Sequence, residues 1–170
     1  MNKVKFGDIL LFKSDGSFQD NFIRIVSRNY THIGIYIGDG WVLEAGVKGV
    51  RRLKITDKYE KLVSVYRIKD VDLKALHRMV SLGESHEGDN YSIRDAILAG
   101  ILRLLQCHQT AYLVDDNWFC SEYVSYCIVD PSGYGDSEFF PRKLPHEVMP
   151  DDFISNPRIE YVGKYTELGR

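Results

Sequence analysis

The chain has 170 residues, enough for one domain with one core. Its 22 Lys and Arg against 24 Asp and Glu give a formal net charge of −2, which argues against a uniformly basic nucleic-acid surface and a polybasic membrane anchor, with Arg51-Arg52 left as a local basic patch. A content of 44% hydrophobic and 27% charged residues excludes a disordered chain, and three widely spaced cysteines make no disulfide framework. Those thiols are then either buried groups of a reduced compartment, or one of them does chemistry.

The first residues, Met1 to Asp8, carry no apolar signal-peptide core, and no apolar run is long enough to span a bilayer. The expectation is a cytoplasmic protein, unless an export signal was trimmed or delivery is by other means. The glycosylation-type triplets at Asn29 and Asn90 read as chance in that setting. Asp8 to Phe12 reads as a short buried strand, and Phe18, Phe22, Ile23, Ile25 and Val26 predict a helix over about residues 17–28. Strands follow at His32–Ile37 and Trp41–Ala45, then at Leu62–Ile68. Leu73, Leu76, Met79, Val80 and Gly83 predict a helix, as do Ile93, Ile97, Ile101, Leu104 and Leu105. A third helix is expected from about Trp118 to Val129. The stretch from Pro131 to Pro157 holds all five prolines and reads mostly as loop, before a last strand at Ile159–Tyr165. Early strands and late helices favour a single α+β layered domain over residues 1–170.

The hairpin is the most informative segment. Alternation sets Ile33, Ile35 and Ile37 on one face and His32, Gly34 and Tyr36 on the other; Trp41, Leu43 and Ala45 alternate with Val42, Glu44 and Gly46. The apolar sets must share a face, which fixes the register. A three-residue loop, Gly38-Asp39-Gly40, satisfies this by pairing Ile37 with Trp41. A two-residue loop, Asp39-Gly40, pairs Ile37 with Val42 and sets Glu44 among isoleucines, an unfavourable burial. In the favoured register Gly34 lies opposite Glu44 and His32 diagonal to it, roughly 7–8 Å apart at Cα. The hairpin therefore predicts a His32–Glu44 pair. The competing reading is the solvent face of a half-buried sheet.

Asp115 to Cys127 reads as a helix start, with Asn117 or Asp116 as N-cap and Cys120 in the first turn. Unsatisfied N–H groups and the positive end of the helix dipole favour a thiolate there and suit an oxyanion. The competing reading is a small buried hydrophobe, the usual state of a free cysteine. Cys127 lies about 10 Å along the same helix, too far for a disulfide, and reads as core, as does Cys107. A zinc site from Cys107, His108, Cys120 and Cys127 has no supporting ligand spacing, so no metal and no cofactor is expected.

Gly7-Asp8-Ile9-Leu10, Thr31-His32-Ile33-Gly34-Ile35-Tyr36-Ile37-Gly38, Val42-Leu43-Glu44-Ala45 and Trp118-Phe119-Cys120-Ser121-Glu122-Tyr123-Val124 resemble, in order and spacing, the circularly permuted NlpC/P60 proteins. These are papain-like cysteine hydrolases of the YiiX/YaeF type, distantly akin to lecithin–retinol acyltransferase. Val148 to Phe153 is similar to the group's segment before its last strand, and the resemblance runs from about Gly7 to Tyr165. It implies a permuted papain-like α+β fold, an antiparallel sheet or small open barrel packed against helices. It further implies Cys120 as nucleophile, His32 as base and Glu44 as the group that orients the histidine.

The resulting expectation is a thiol hydrolase that cleaves an amide bond, in a cell-wall peptide or a related substrate, through an acyl-enzyme. One alternative is a lipid-directed esterase or acyltransferase, for which the apolar Ile93–Leu105 helix would be a platform rather than core. Another is a non-catalytic binding module on the same fold. Tyr36, Asn117 and Trp118 are candidates to line the substrate cleft, though Trp118 suits a buried helix-start residue equally well. The partner is thus a small-molecule, peptide or lipid substrate, with no nucleic acid.

Overall fold

The computed structural model describes residues 3–14, 29–56, 60, 62–92, 117–141 and 143–168. The helices expected over about 17–28 and over Ile93–Leu105 lie outside these residues, as do Cys107 and His108. In chain order the elements are β1 (Ile9–Phe12), β2 (His32–Gly38), β3 (Trp41–Gly46), β4 (Gly49–Lys54), β5 (Val63–Ile68), α1 (Leu73–Ser85), β6 (Asn90–Tyr91), β7 (Asn117–Trp118), α2 (Cys120–Val129), α3 (Pro150–Ser155) and β8 (Ile159–Lys164). Short 3-10 turns cover Pro145–Glu147 and Tyr165–Glu167.

Six strands form one antiparallel sheet in the order β4-β3-β2-β1-β5-β8. Among the described residues β4 and β8 do not pair, so the sheet stays open rather than closing as a barrel. β6 and β7 make a separate two-residue parallel pair. The α+β class and the antiparallel sheet against helices are as expected. No helix of the described residues is long and apolar enough to cross a membrane.

β1 sits mid-sheet and is buried along its whole length, which is why Ile9, Leu10, Leu11 and Phe12 form an unbroken apolar run. On one face Ile9, Leu11, Ile33, Ile35, Leu43 and Ala45 pack with Met79 and Val80 of α1 and Tyr123, Val124 and Ile128 of α2. On the other, Leu10, Phe12, Tyr36, Val42, Val63 and Val65 pack with Ile55 and Tyr165. The face that carries His32 and Glu44 is therefore covered, not a solvent face.

α1 starts at Asp72, whose carboxylate accepts the Lys74 N–H at 3.0 Å, and buries Leu76, Met79, Val80 and Gly83 of the expected stripe, while Leu73 in its first turn stays exposed. Gly83 is required by packing: a Cβ there would lie 2.6 Å from the Tyr123 hydroxyl of α2. The short β6–β7 pair was not foreseen, nor were two larger elements. β4 follows β3 through a tight turn between Gly46 and Gly49. α3 forms inside the proline-rich stretch, where Pro150 occupies the first helical position and Asp152 accepts the Met149 N–H at 2.8 Å.

The β2–β3 turn corrects one expectation. Ile35 pairs with Leu43 and Tyr36 with Val42, the register derived from the apolar pattern. The loop, however, is the two-residue Asp39-Gly40, with Gly38 paired to Trp41. A bulge between Tyr36 and Gly38 absorbs the extra residue and restores the register below it. Asp39 and Gly40 both have positive φ, 48° and 75°, as such a short turn demands. Past the bulge Trp41 leaves the core, 41% exposed, with Lys54 Nζ 5.0 Å from its ring centre.

Candidate active site

His32 opens β2 opposite Phe12, and their rings lie 5.5 Å apart. Glu44 lies in β3. Continuing the hairpin register sets Gly34 across from Glu44, and a Cβ on Gly34 would lie 3.6 Å from Glu44 Cβ. The same Cβ would fall 2.5 Å from Val42 Cγ1 and 2.7 Å from the Leu43 carbonyl, so glycine is what lets the two strands approach here. His32 Nε2 meets Glu44 Oε2 at 2.7 Å, with Glu44 buried and the His32 side chain 22% exposed.

Cys120 is the first residue of α2 and is 3% exposed. Its thiol is near enough to the His32 ring to help raise the pKa of that histidine. Because Nε2 is engaged by Glu44, Nδ1 is the ring nitrogen left for the sulfur. The three residues singled out in the sequence are thus brought together in the order Cys120, His32, Glu44.

The expected N-cap is not the one observed. Phe119, extended at φ −108° and ψ 162°, precedes the helix, and its N–H donates to Glu122 Oε2 at 3.4 Å. Asn117 is diverted into β7, where it pairs with Asn90, while Asp116 lies outside the described residues. The first turn of α2 is tied down from the side. Ser121 Oγ donates to the Val148 carbonyl at 2.6 Å, and Ser125 Oγ lies 2.9 Å from the Glu122 carbonyl and 3.1 Å from that of Pro145. In an α-helix the first N–H groups have no intrahelical acceptor and carry the positive end of the dipole. Cys120 stands at that end.

The electrostatics follow from these partners. Burial works against a charged His32 ring, but the Glu44 charge, the hydrogen bond to Glu44 and the nearby Cys120 outweigh it, holding the imidazole up at about 10. Burial likewise opposes ionisation of Glu44; His32 and Arg51 overcome it and hold the carboxyl below the usual carboxylate range. Cys127, fully buried two turns along, has its thiol pushed up by burial, in keeping with a packing role.

The residues suggested as cleft lining make other contacts as well. The Tyr36 hydroxyl accepts the Gly40 N–H at 3.1 Å, at the turn end of the hairpin, and its ring packs on Tyr165. Trp118 is buried; its Nε1 donates to Asp89 Oδ2 at 2.9 Å, and its ring lies 5.0 Å from His86 and 4.9 Å from Tyr126. Asn117 is half-buried in β7 beside it. These contacts anchor the chain just before Cys120.

Arg51 is the site residue that sequence reasoning missed. It lies directly opposite Glu44 in the β3–β4 pair, and its Nε and Nη2 both donate to Glu44 Oε1, at 2.9 and 2.8 Å. The signal was present: Gly46 and Gly49 flank a two-residue turn, and counting back from it sets residue 44 against residue 51. Among the described residues no three His, Cys, Asp or Glu side chains are grouped to hold a metal ion, and both Glu44 oxygens are already taken by cationic side chains.

No protein-family model matches this sequence, nor does any curated protein. Among solved structures, the metalloprotein YiiX of the DUF1105 group, from Escherichia coli O157:H7, is similar over 95% of this chain and 98% of its own, with a TM-score of 0.62 and 18% identity. The chain therefore has the fold of YiiX, in agreement with the YiiX-type resemblance carried by its motifs.

Proposed function

We propose that the protein is a thiol hydrolase that cleaves an amide bond through a covalent acyl-enzyme, with Cys120 as nucleophile, His32 as general acid and base, and Glu44 orienting the ring. The observation that carries this reading is one arrangement: a thiol at a helix N-terminus, close enough to act electrostatically on an imidazole whose Nε2 meets a buried carboxylate at 2.7 Å. A nucleophile, a base within reach and a third group that orients the base is the arrangement such chemistry requires.

In this mechanism the Cys120 proton rests on His32, giving an imidazolium–thiolate pair. The thiolate attacks the carbonyl carbon, and the oxyanion that forms is met by the backbone N–H of Cys120 at the head of α2. His32 delivers its proton to the leaving amine as the C–N bond breaks, which leaves a thioester. Water then attacks the thioester carbonyl, His32 takes one of its protons, and the acid departs as the C–S bond breaks, which restores the imidazolium–thiolate pair. The word metalloprotein belongs to YiiX; no step here is routed through a metal, because the Glu44 oxygens are held by His32 and Arg51.

The test is alkylation by limiting iodoacetamide across pH, read residue by residue in a mass spectrometer. The expected result is selective labelling of Cys120 over Cys107 and Cys127, lost in His32→Ala. Equal and slow labelling of all three cysteines would overturn the enzyme reading and leave a binding module on this fold. A screen of peptide amides against acyl esters with wild type and Cys120→Ala then identifies the bond cleaved.

A further inference from the structure

Arg51 and Arg52 are adjacent in β4, yet their side chains do different things. Arg52 is on the helix side, where it pairs with Glu84 at 3.1 Å and Glu87 at 2.6 Å, and it is 47% exposed. Arg51 turns to the site side and spends two nitrogens on a single oxygen, Glu44 Oε1. A guanidinium facing a carboxylate alone commonly grips both oxygens. Here the second oxygen, Oε2, belongs to His32. Glu44 is thereby held from both sides, with its plane and its charge set toward the ring.

We propose that Arg51 is a positioning residue of the thiol site: its grip on Oε1 keeps Glu44 ionised inside the protein and aims Oε2 at His32, so that the ring is held for Cys120. This inference rests on the thiol-hydrolase reading and adds a residue to it. Among the described residues, the charged and titratable groups facing Glu44 are His32 from β2 and Arg51 from β4, with Cys120 of α2 on the far side of the ring. Arg51 is thus the permanent cation of the set. A carboxylate as buried as Glu44 that lost it would protonate at a higher pH, and His32 would lose its counter-charge there.

The experiment measures the Cys120 alkylation rate against pH in wild type, Arg51→Met, Arg51→Lys and Arg52→Met, with thermal melts in parallel. Arg51→Met is expected to move the acid limb of the profile up by about one pH unit. It should also lower the plateau rate about tenfold. Arg51→Lys, which keeps the charge and loses the fork, is expected to restore the acid limb but not the plateau. Arg52→Met should match wild type in both. A purely structural Arg51 would lower the melting temperature without moving the acid limb. The inference is overturned if folded Arg51→Met keeps the wild-type acid limb and plateau. Should Arg51→Met fail to fold, a wild-type plateau in Arg51→Lys overturns it instead. Wild type without any enhanced labelling of Cys120 overturns both readings, whereas enhanced wild-type labelling that Arg51 variants do not alter removes this one alone.

Discussion

Two buried carboxylates in this molecule each face an arginine, and they are wired differently. Asp8 is 2% exposed and closed on itself: Arg67 Nε donates to Oδ1 and Nη2 to Oδ2, both at 2.7 Å, and the Lys5 N–H adds a third bond at 2.7 Å. Arg67 also ties down the Lys3 carbonyl at 2.9 Å, so the pair pins the start of the chain to β5. Glu44, equally buried, gives its arginine one oxygen only and turns the other to a titratable ring. Burial dominates Asp8 and raises its pKa despite Arg67, whereas two cationic partners hold Glu44 down. An ion pair whose bonds are all internal is a staple. One with an oxygen left over can communicate with a thiol.

Substitution should separate the two. Glu44→Gln is expected to reduce the Cys120 alkylation rate by about a hundredfold, the upper end of what an orienting partner contributes. Asp8→Asn should leave that rate unchanged and instead lower stability by about 1 kcal/mol, because the amide keeps only one acceptor oxygen for the three N–H groups that Asp8 now satisfies. Urea denaturation with the same iodoacetamide assay reads both. If Asp8→Asn slowed Cys120 as much as Glu44→Gln, the distinction between staple and site would collapse.

Gly34→Ala probes the strand contact that brings Glu44 to His32. A methyl group 2.7 Å from the Leu43 carbonyl must push β3 away, at a cost of about 2 kcal/mol, and should slow Cys120 alkylation as well. A destabilised protein with unchanged thiol kinetics would mean that β3 yields without moving Glu44.

Acid titration separates the carboxylates again, with opposite signs. The Glu44 pKa is lowered on folding, so its stability is present above the unfolded carboxylate value and is lost as pH falls through the folded one. The Asp8 pKa is raised, so its share is full below its unfolded value and declines as pH rises through the folded one. The stability gap between wild type and Glu44→Gln should narrow on acidification, and that for Asp8→Asn should not. His32 is raised to about 10; its contribution is full below the unfolded value of 6.5 and is lost as pH climbs through about 10. Its ring protons in an NMR titration should stay at their imidazolium positions through neutral pH, and a midpoint near the free-histidine value would break the Cys120–His32–Glu44 coupling. The smallest expected effect is Tyr36→Phe, which removes the acceptor of the Gly40 N–H, costs about 1 kcal/mol, and leaves Cys120 kinetics unchanged.

Much of this site was legible before the fold. Period-two alternation placed His32 and Glu44 on one face, and the apolar pattern gave the inner hairpin register even though the turn itself is one residue shorter than expected. The bulge escaped because a local kink that preserves the pattern on either side leaves no trace in it. Asn117 looked like an N-cap and is a strand residue, because pairing with Asn90 competes for the same backbone and no local rule weighs that pairing. Arg51 went unread because β4 begins with Gly49-Val50-Arg51-Arg52, whose charges obscure its alternation.

By itself the sequence determined β1, β2, β3, β5, β8, α1 and α2, the His32–Glu44 pairing and the place of Cys120 at a helix start, because each rests on local spacing. Only the tertiary structure decided that the face carrying His32 and Glu44 is covered, that α2 brings Cys120 to His32 from 88 positions along the chain, and that Arg51 rather than Arg52 holds Glu44. Those outcomes depend on which surfaces the core brings together and how deeply it buries them. Burial is what makes one hydrogen bond to a carboxylate, or its absence, matter to a distant thiol.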